Sequence, residues 1–285
     1  MADFPKIVLV YSCVHKVINI TLKPDNLILY AFDLQGKIEP LPGGQNNSWR
    51  IGDHVLEYVG IDPSNEWSAA VLSDLNAVDY RISAPVRSKH DSFVFKGWLC
   101  SKFEVGFVSN NHEAEKLEVS RLFHRSLKAI SLNVYVPPSN RWEIAHRAAW
   151  SRDDLPSQIE TDSRNYIKEL FRFTNSQGDI KTQIIHGDLA GNILFHDRYS
   201  PLIIDFSPTN GPIEYAESIL IADSIAWYNA PLQTLELLPQ TEYYKDMLLR
   251  AVIFRLVVSA QVPDQKVFTE TRNCFQRIIH EIMSS

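Results

Sequence analysis

The chain has 285 residues, enough for one large domain or two lobes. Its 45% hydrophobic and 22% charged content is that of an ordinary soluble globular protein, and a net charge of −6 excludes an overall basic field for nucleic acid or an anionic membrane, so any phosphate contact must be local. Three widely spaced cysteines (Cys13, Cys100 and Cys274) argue against a disulfide framework or a zinc site and fit a reducing, cytoplasmic compartment, and no apolar run reaches membrane-spanning length.

Residues 1–22 carry the apolar run Ile7-Val8-Leu9-Val10-Tyr11. His15 and Lys16 interrupt it before any clear cleavage site, so it reads as an extension outside the main body. A short helix is predicted over 24–34. Next comes Leu41-Pro42-Gly43-Gly44-Gln45, leading to Ser48-Trp49-Arg50. Two glycines between strand-like runs let backbone N–H groups approach phosphate oxygens, although a plain hairpin has the same look. The run His54-Val55-Leu56-Glu57-Tyr58-Val59 reads as a strand, and residues 66–75 read as a helix opening at Glu66. Strands over 82–87 and 93–100, with a polar turn between them, complete a small antiparallel sheet.

Residues 113–131 form an amphipathic helix with Leu117, Leu122, Phe123, Leu127 and Ile130 in one stripe; His124 beside it reads as structural. Trp142 and Trp150 read as packing anchors. A helix is predicted over 162–174, capped by Asp162 or Ser163. Then comes Ile184-Ile185-His186-Gly187-Asp188-Leu189-Ala190-Gly191-Asn192-Ile193-Leu194-Phe195, followed by Pro201-Leu202-Ile203-Ile204-Asp205-Phe206. Three apolar runs of strand length surround polar loops. Asp188, Asn192 and Asp205 can converge there as one base and two oxygen ligands, the set that phosphoryl transfer needs. A buried turn capped by Asp and Asn side chains is the bland alternative. Helices are predicted over 213–229, 241–261 and 266–283; Glu214, Glu217 and Asp223 give the first an acidic face.

This stretch resembles the aminoglycoside phosphotransferase and choline kinase group of the protein-kinase-like fold, whose pattern is His-Gly-Asp-x-x-x-x-Asn and then an apolar strand ending Asp-Phe. Leu41-Pro42-Gly43-Gly44-Gln45 further resembles an uncharacterised phosphotransferase-like subfamily. The resemblance, which does not cover the extension 1–22, implies an α+β, two-lobed protein-kinase-like fold with a sheet-bearing N-lobe (23–102) and a helical C-lobe (103–285). It implies ATP and magnesium as cofactors and a small-molecule hydroxyl as acceptor. Asp188 would be the catalytic base, and Asn192 and Asp205 the metal ligands. Gly43, Gly44 and Gln45 would cover the phosphates, and Leu99 to Phe103 would be the hinge against the adenine. His186 would brace the loop, and the acidic face at 214–223 would suit a cationic acceptor if it is not simply a solvated surface. Ser207 follows Asp205-Phe206 where many kinases carry glycine.

One residue resists this assignment. The third strand of the group carries a lysine that meets the α- and β-phosphates, and Glu57 occupies that place. Like charges about 4 Å apart cost roughly 4 kcal/mol at an effective dielectric near 20. Either the strand register is shifted, or Arg50 supplies the cation, or the protein is a pseudokinase acting as a binding module. No lysine lies between Lys37 and Lys89 to rescue the position, and Glu66 is either the glutamate that pairs with that lysine, left here without it, or an exposed glutamate favoured near a helix N-terminus. Nucleotidyl transfer by the same site is a further alternative, which product analysis distinguishes.

Overall fold

The computed structural model describes residues 22–41, 47–175 and 180–284. The chain opens with α1 (Asn26–Ala31), where the Asp25 side chain accepts from the Ile28 N–H at 3.0 Å. Strands β1 (Ile38–Pro40), β2 (Ser48–Ile51) and β3 (His54–Tyr58) follow, then α2 (Pro63–Asp74). Asp62 caps α2 and Pro63 occupies its first turn, which is why this helix starts before the predicted Glu66. Next come β4 (Arg81–Ile82), β5 (Pro85–Val86), β6 (Val94–Phe95), β7 (Trp98–Lys102) and β8 (Phe107–Val108).

The first sheet has the order β1-β2-β3-β7-β5, with β6 also paired to β7. Its side chains alternate as a pleat requires. Ile51, Leu56, Trp98 and Cys100 point to one face and pack with Ile28, Ala31, Phe32 and Leu34 of the α1 region, forming the core of the N-lobe. Glu57 stands opposite Leu99, and Arg50 opposite Val55, so these four share the other face.

The C-lobe begins with α3 (Glu113–Leu127), α4 (Arg141–Ala148) and α5 (Thr161–Leu170). Glu160, not Asp162 or Ser163, caps α5, accepting from the Asp162 and Ser163 amides at 3.0 and 3.4 Å. Strands β9 (Gln183–His186), β10 (Ile193–Phe195), β11 (Leu202–Ile203) and β12 (Pro208–Gly211) lead to α6 (Ile213–Trp227), α7 (Glu242–Ala260) and α8 (Gln265–Ser284). The predicted strand over 82–87 is in fact split. Its first part, β4, pairs parallel with β11 in the sheet β4-β11-β10-β8, while β5 stays in the N-lobe sheet. The connection between the lobes is therefore a shared sheet as well as a chain crossing.

Helices α6 and α7 are the centre of the C-lobe, and α7 is buried continuously from Asp246 to Ala260. A helix buried all round must satisfy any charge it carries. Arg250 does so through all three of its nitrogens: Nε donates to Asp246 at 2.8 Å, Nη1 to the Ala149 carbonyl at 3.0 Å and Nη2 to the Asn175 carbonyl at 2.8 Å. Breaking a buried pair by removing one partner costs about 3–5 kcal/mol. Arg250→Met is expected to lose that much stability in urea unfolding, and a loss near zero would mean that water reaches the pair. Among the described residues, no helix is long and apolar enough to cross a membrane.

Candidate active site

Residues 187–192 form the loop between β9 and β10 that carries Asp188 and Asn192. A chain of hydrogen bonds holds its first half. His124 Nε2 accepts from the His186 N–H at 3.0 Å, and His186 Nδ1 accepts from the Asp188 N–H at 3.1 Å. Ser120 Oγ lies 3.2 Å from His124 Nδ1, and His186 Nε2 lies 3.4 Å from the Ile204 carbonyl. Burial pushes His124 down to about 3 and His186 down to about 4. Both rings are therefore neutral at pH 7 and serve as fixed hydrogen-bonding posts. His186 is bound up in backbone support rather than free to act as a base.

The second half is held by Asn192, whose Nδ2 donates to the Asp188 carbonyl at 2.7 Å and approaches Asp188 Oδ2 at 3.4 Å. With the amide nitrogen so engaged, the carbonyl oxygen is the atom that Asn192 has left for a metal. The spacing here departs from the group's pattern. Three residues, not four, separate Asp188 from Asn192, and the loop closes as a tight turn from the Asn192 N–H to the Leu189 carbonyl at 3.1 Å.

Two glycines let that loop pack closely. A Cβ on Gly187 would meet His146 Nε2 at 2.5 Å, and one on Gly191 would run into the Tyr228 hydroxyl. His146 cannot yield, because its ring stacks on Phe254 at 3.7 Å and its Nδ1 lies 3.2 Å from the Tyr215 hydroxyl. Tyr228 is only half-buried. Gly187→Ala is expected to cost about 1–3 kcal/mol by overpacking, and Gly191→Ala less. Chemical denaturation of the two variants checks the order; the reverse order would show that the Tyr228 side is the rigid one.

Asp205 follows β11 with φ of 51°, a left-handed backbone that Asp tolerates better than most non-glycine residues. Its side chain opens onto the cleft between the lobes. The residue is exposed, yet the protein around its carboxyl and then the Asp188 charge push it up to about 6. Glu57 approaches from the sheet above. Burial, then the Asp205 charge, raises it to about 8, against a hydrogen bond from Asn47. The pairing of β2, β3 and β7 puts Glu57 on the face away from the N-lobe core, where the charge of Asp205 reaches it.

The other expected contacts fall out differently. Arg50 projects from the same face as Glu57, one row nearer the hinge. Its guanidinium lies 3.7 Å from the Phe103 ring centroid, and its Nε donates to the Gly52 carbonyl at 2.9 Å. Leu99 sits directly opposite Glu57 in β7. The structure thus brings Arg50, Leu99 and Phe103 to the hinge side of the cleft and engages Arg50 there. Gly43, Gly44 and Gln45 lie outside the described residues. Glu66 does not wait for a lysine: its two carboxylate oxygens accept from the Phe93 and Val94 amides at 2.9 and 2.7 Å. The acidic face of α6 is not a solvated surface. Glu217 is buried against Arg121 at 2.7 Å and the Tyr244 hydroxyl at 2.9 Å, and Asp223 is buried against Arg255. Two of the three charges expected to meet a cationic acceptor are already neutralised.

Sequence reasoning missed Arg255. Its Nη2 lies 2.5 Å from Asp188 Oδ1, and the same guanidinium pairs with Asp223. The signal was present: a lone arginine within Val252-Ile253-Phe254-Arg255-Leu256-Val257-Val258 must find a carboxylate if that run is buried.

No family model matches the chain, and no curated protein matches it. Solved structures do. A spectinomycin phosphotransferase, APH(9)-Ia, bound to ADP and spectinomycin, is 17% identical over 88% of this chain and 89% of its own, with a TM-score of 0.53. A thermostable mutant of the aminoglycoside phosphotransferase APH(4)-Ia, in a ternary complex with AMP-PNP and hygromycin B, is 14% identical over 89% and 97%, with a TM-score of 0.60. The choline kinase LicA from Streptococcus pneumoniae is 12% identical over 87% and 94%, with a TM-score of 0.50. The fold is that of the aminoglycoside phosphotransferases and choline kinases. In this kinase-like fold, Asp188 and Asn192 stand on the loop after β9 and Asp205 at the end of β11, on the C-lobe side of the cleft. Among the described residues, no three His, Cys, Asp or Glu side chains converge closely enough to hold a metal ion. The oxygens of Asn192 and Asp205 still suit magnesium, which completes its shell with water and substrate phosphates rather than with a protein cage.

Proposed function

We propose that this chain is a magnesium-assisted, ATP-dependent phosphotransferase acting on the hydroxyl of a small molecule. The single observation that carries the reading is the convergence of Asp188, Asn192 and Asp205 in the cleft of a kinase-like fold. Asp188 orients the acceptor hydroxyl and takes its proton. The hydroxyl oxygen attacks the γ-phosphorus, the bond to the β–γ bridging oxygen breaks, and ADP leaves. Asn192 and Asp205 would hold magnesium, which would neutralise charge on the phosphates. The remaining work is positioning and charge stabilisation by fixed groups. Glu57 is compatible with this reading because its raised pKa leaves the carboxyl mostly protonated at pH 7. The same residue favours a second reading, a pseudokinase that binds nucleotide weakly or not at all.

A thermal-unfolding scan with ATP, with and without magnesium, separates the two readings. A ligand at 100 times its dissociation constant stabilises the native state by about 2.7 kcal/mol, enough to move the midpoint by a few degrees in a chain of this size. A magnesium-dependent rise is expected. No rise at millimolar ATP would favour the pseudokinase.

A further inference from the structure

We infer that Arg255 is a positioning residue for phosphoryl transfer: anchored on Asp223, its guanidinium fixes Oδ1 of Asp188 and leaves Oδ2, which meets only the long 3.4 Å approach of Asn192 Nδ2, to receive the acceptor proton. The inference rests on the phosphotransferase reading. Arg255 and Asp223 have side chains 3% and 1% exposed, whereas Asp188 is 41% exposed. The arrangement is therefore a buried ion pair with the candidate base attached at its open end. Arg255 Nε spans both Asp223 oxygens at 3.0 and 3.1 Å, and Nη2 bridges Asp223 and Asp188.

Asp223 alone balances the buried cation. The bond to Asp188 is not needed for neutrality, so what it supplies is direction. A planar guanidinium offers donors in a rigid fork, which an ammonium cannot reproduce. The fork is itself held in place, with the rings of Phe254, Trp227 and Trp142 at 4.6, 5.1 and 5.6 Å from its central carbon. Asn192 holds the Asp188 backbone from one side while Arg255 holds the carboxylate from the other. A misplacement of about 1 Å in such a constellation costs about 100-fold in rate.

The test uses the full chain and ATP hydrolysis, with water as the universal acceptor, so that no acceptor need be known. Water oxygen attacks the γ-phosphorus, ADP leaves, and the proton passes to Asp188. Arg255→Lys, Arg255→Met and the double variant Asp223→Asn/Arg255→Met are compared with the parent; the double variant removes both buried charges and guards against simple unfolding. Both Met variants are expected to lower kcat about 100-fold with KM for ATP within about twofold, and Arg255→Lys to recover part of the loss. In an Asp188→Asn background, Arg255→Lys should cost nothing further, because it acts through Asp188. An unchanged kcat, a loss carried by KM, or additivity with Asp188→Asn overturns the inference while leaving the phosphotransferase reading intact. A parent protein without hydrolysis overturns that reading and takes the role of Arg255 with it.

Discussion

Asp188→Asn is expected to lower turnover by about 1,000-fold, within the range of 10²–10⁴ that general-base catalysis contributes, while the magnesium-dependent midpoint rise with ATP is retained. The physical reason is the division of labour in the loop. Asn at 188 keeps its carbonyl for Asn192 and its N–H for His186, so the loop backbone is still held. Arg255 keeps Asp223, so no buried cation is left alone. Only the proton acceptor is lost. Coupled measurement of ADP release and nucleotide binding checks this. Equal loss of binding and turnover would mean that Asp188 serves nucleotide affinity and is not the base.

Glu57 should make nucleotide binding depend on pH in a way that a lysine-bearing kinase would not show. Its carboxyl titrates near 8, raised by burial and by Asp205. Below that value it is neutral and tolerates a phosphate; above it, a carboxylate stands against the phosphates. At an effective dielectric near 20 and a separation near 4 Å, the repulsion is worth about 4 kcal/mol, an upper limit of about 1,000-fold in affinity. Affinity for ATP is therefore expected to fall as pH rises from 7 to 9. Glu57→Gln should abolish the fall, and Glu57→Lys should raise affinity at both values. A flat profile in the parent would show that Glu57 does not face the phosphates. Stability carries the same sign. A carboxyl whose pKa rises on folding binds more protons in the native than in the unfolded state between about 4.5 and 8, so its contribution declines as pH rises through that window. Glu57→Gln should be more stable than the parent at pH 9, with the difference closing towards pH 4.

Much of the site was legible because it is local. Asp188 and Asn192 are four residues apart in one loop, and Asp205 ends the next but one strand; strand periodicity and the turn residues alone put them near one another. The apolar stripe of 113–131 likewise announced a helix, whereas Glu57 was placed only through the likeness to the group, with its register left open. The likeness to the group was less reliable in detail. It implied a four-residue spacer where the chain has three, and a lysine partner for Glu66 where two backbone amides serve instead.

What the sequence by itself determined about this protein is the place of its main helices and of the strands around the polar loop, because propensity and period act over a few residues; the roles expected of Asp188, Asn192 and Asp205 came from the likeness to the group. Only the tertiary structure decided that 82–87 divides between two sheets, that β12 pairs with β9, that Arg50 is engaged at Phe103, and that Asp223 on α6 pairs with Arg255. Each of these joins residues far apart in the chain. Asp188 and Arg255 are 67 positions apart, and nothing in either local pattern encodes the other. Burial decides such pairings: a charge carried into a core by its helix must be met by whichever carboxylates the fold brings to it.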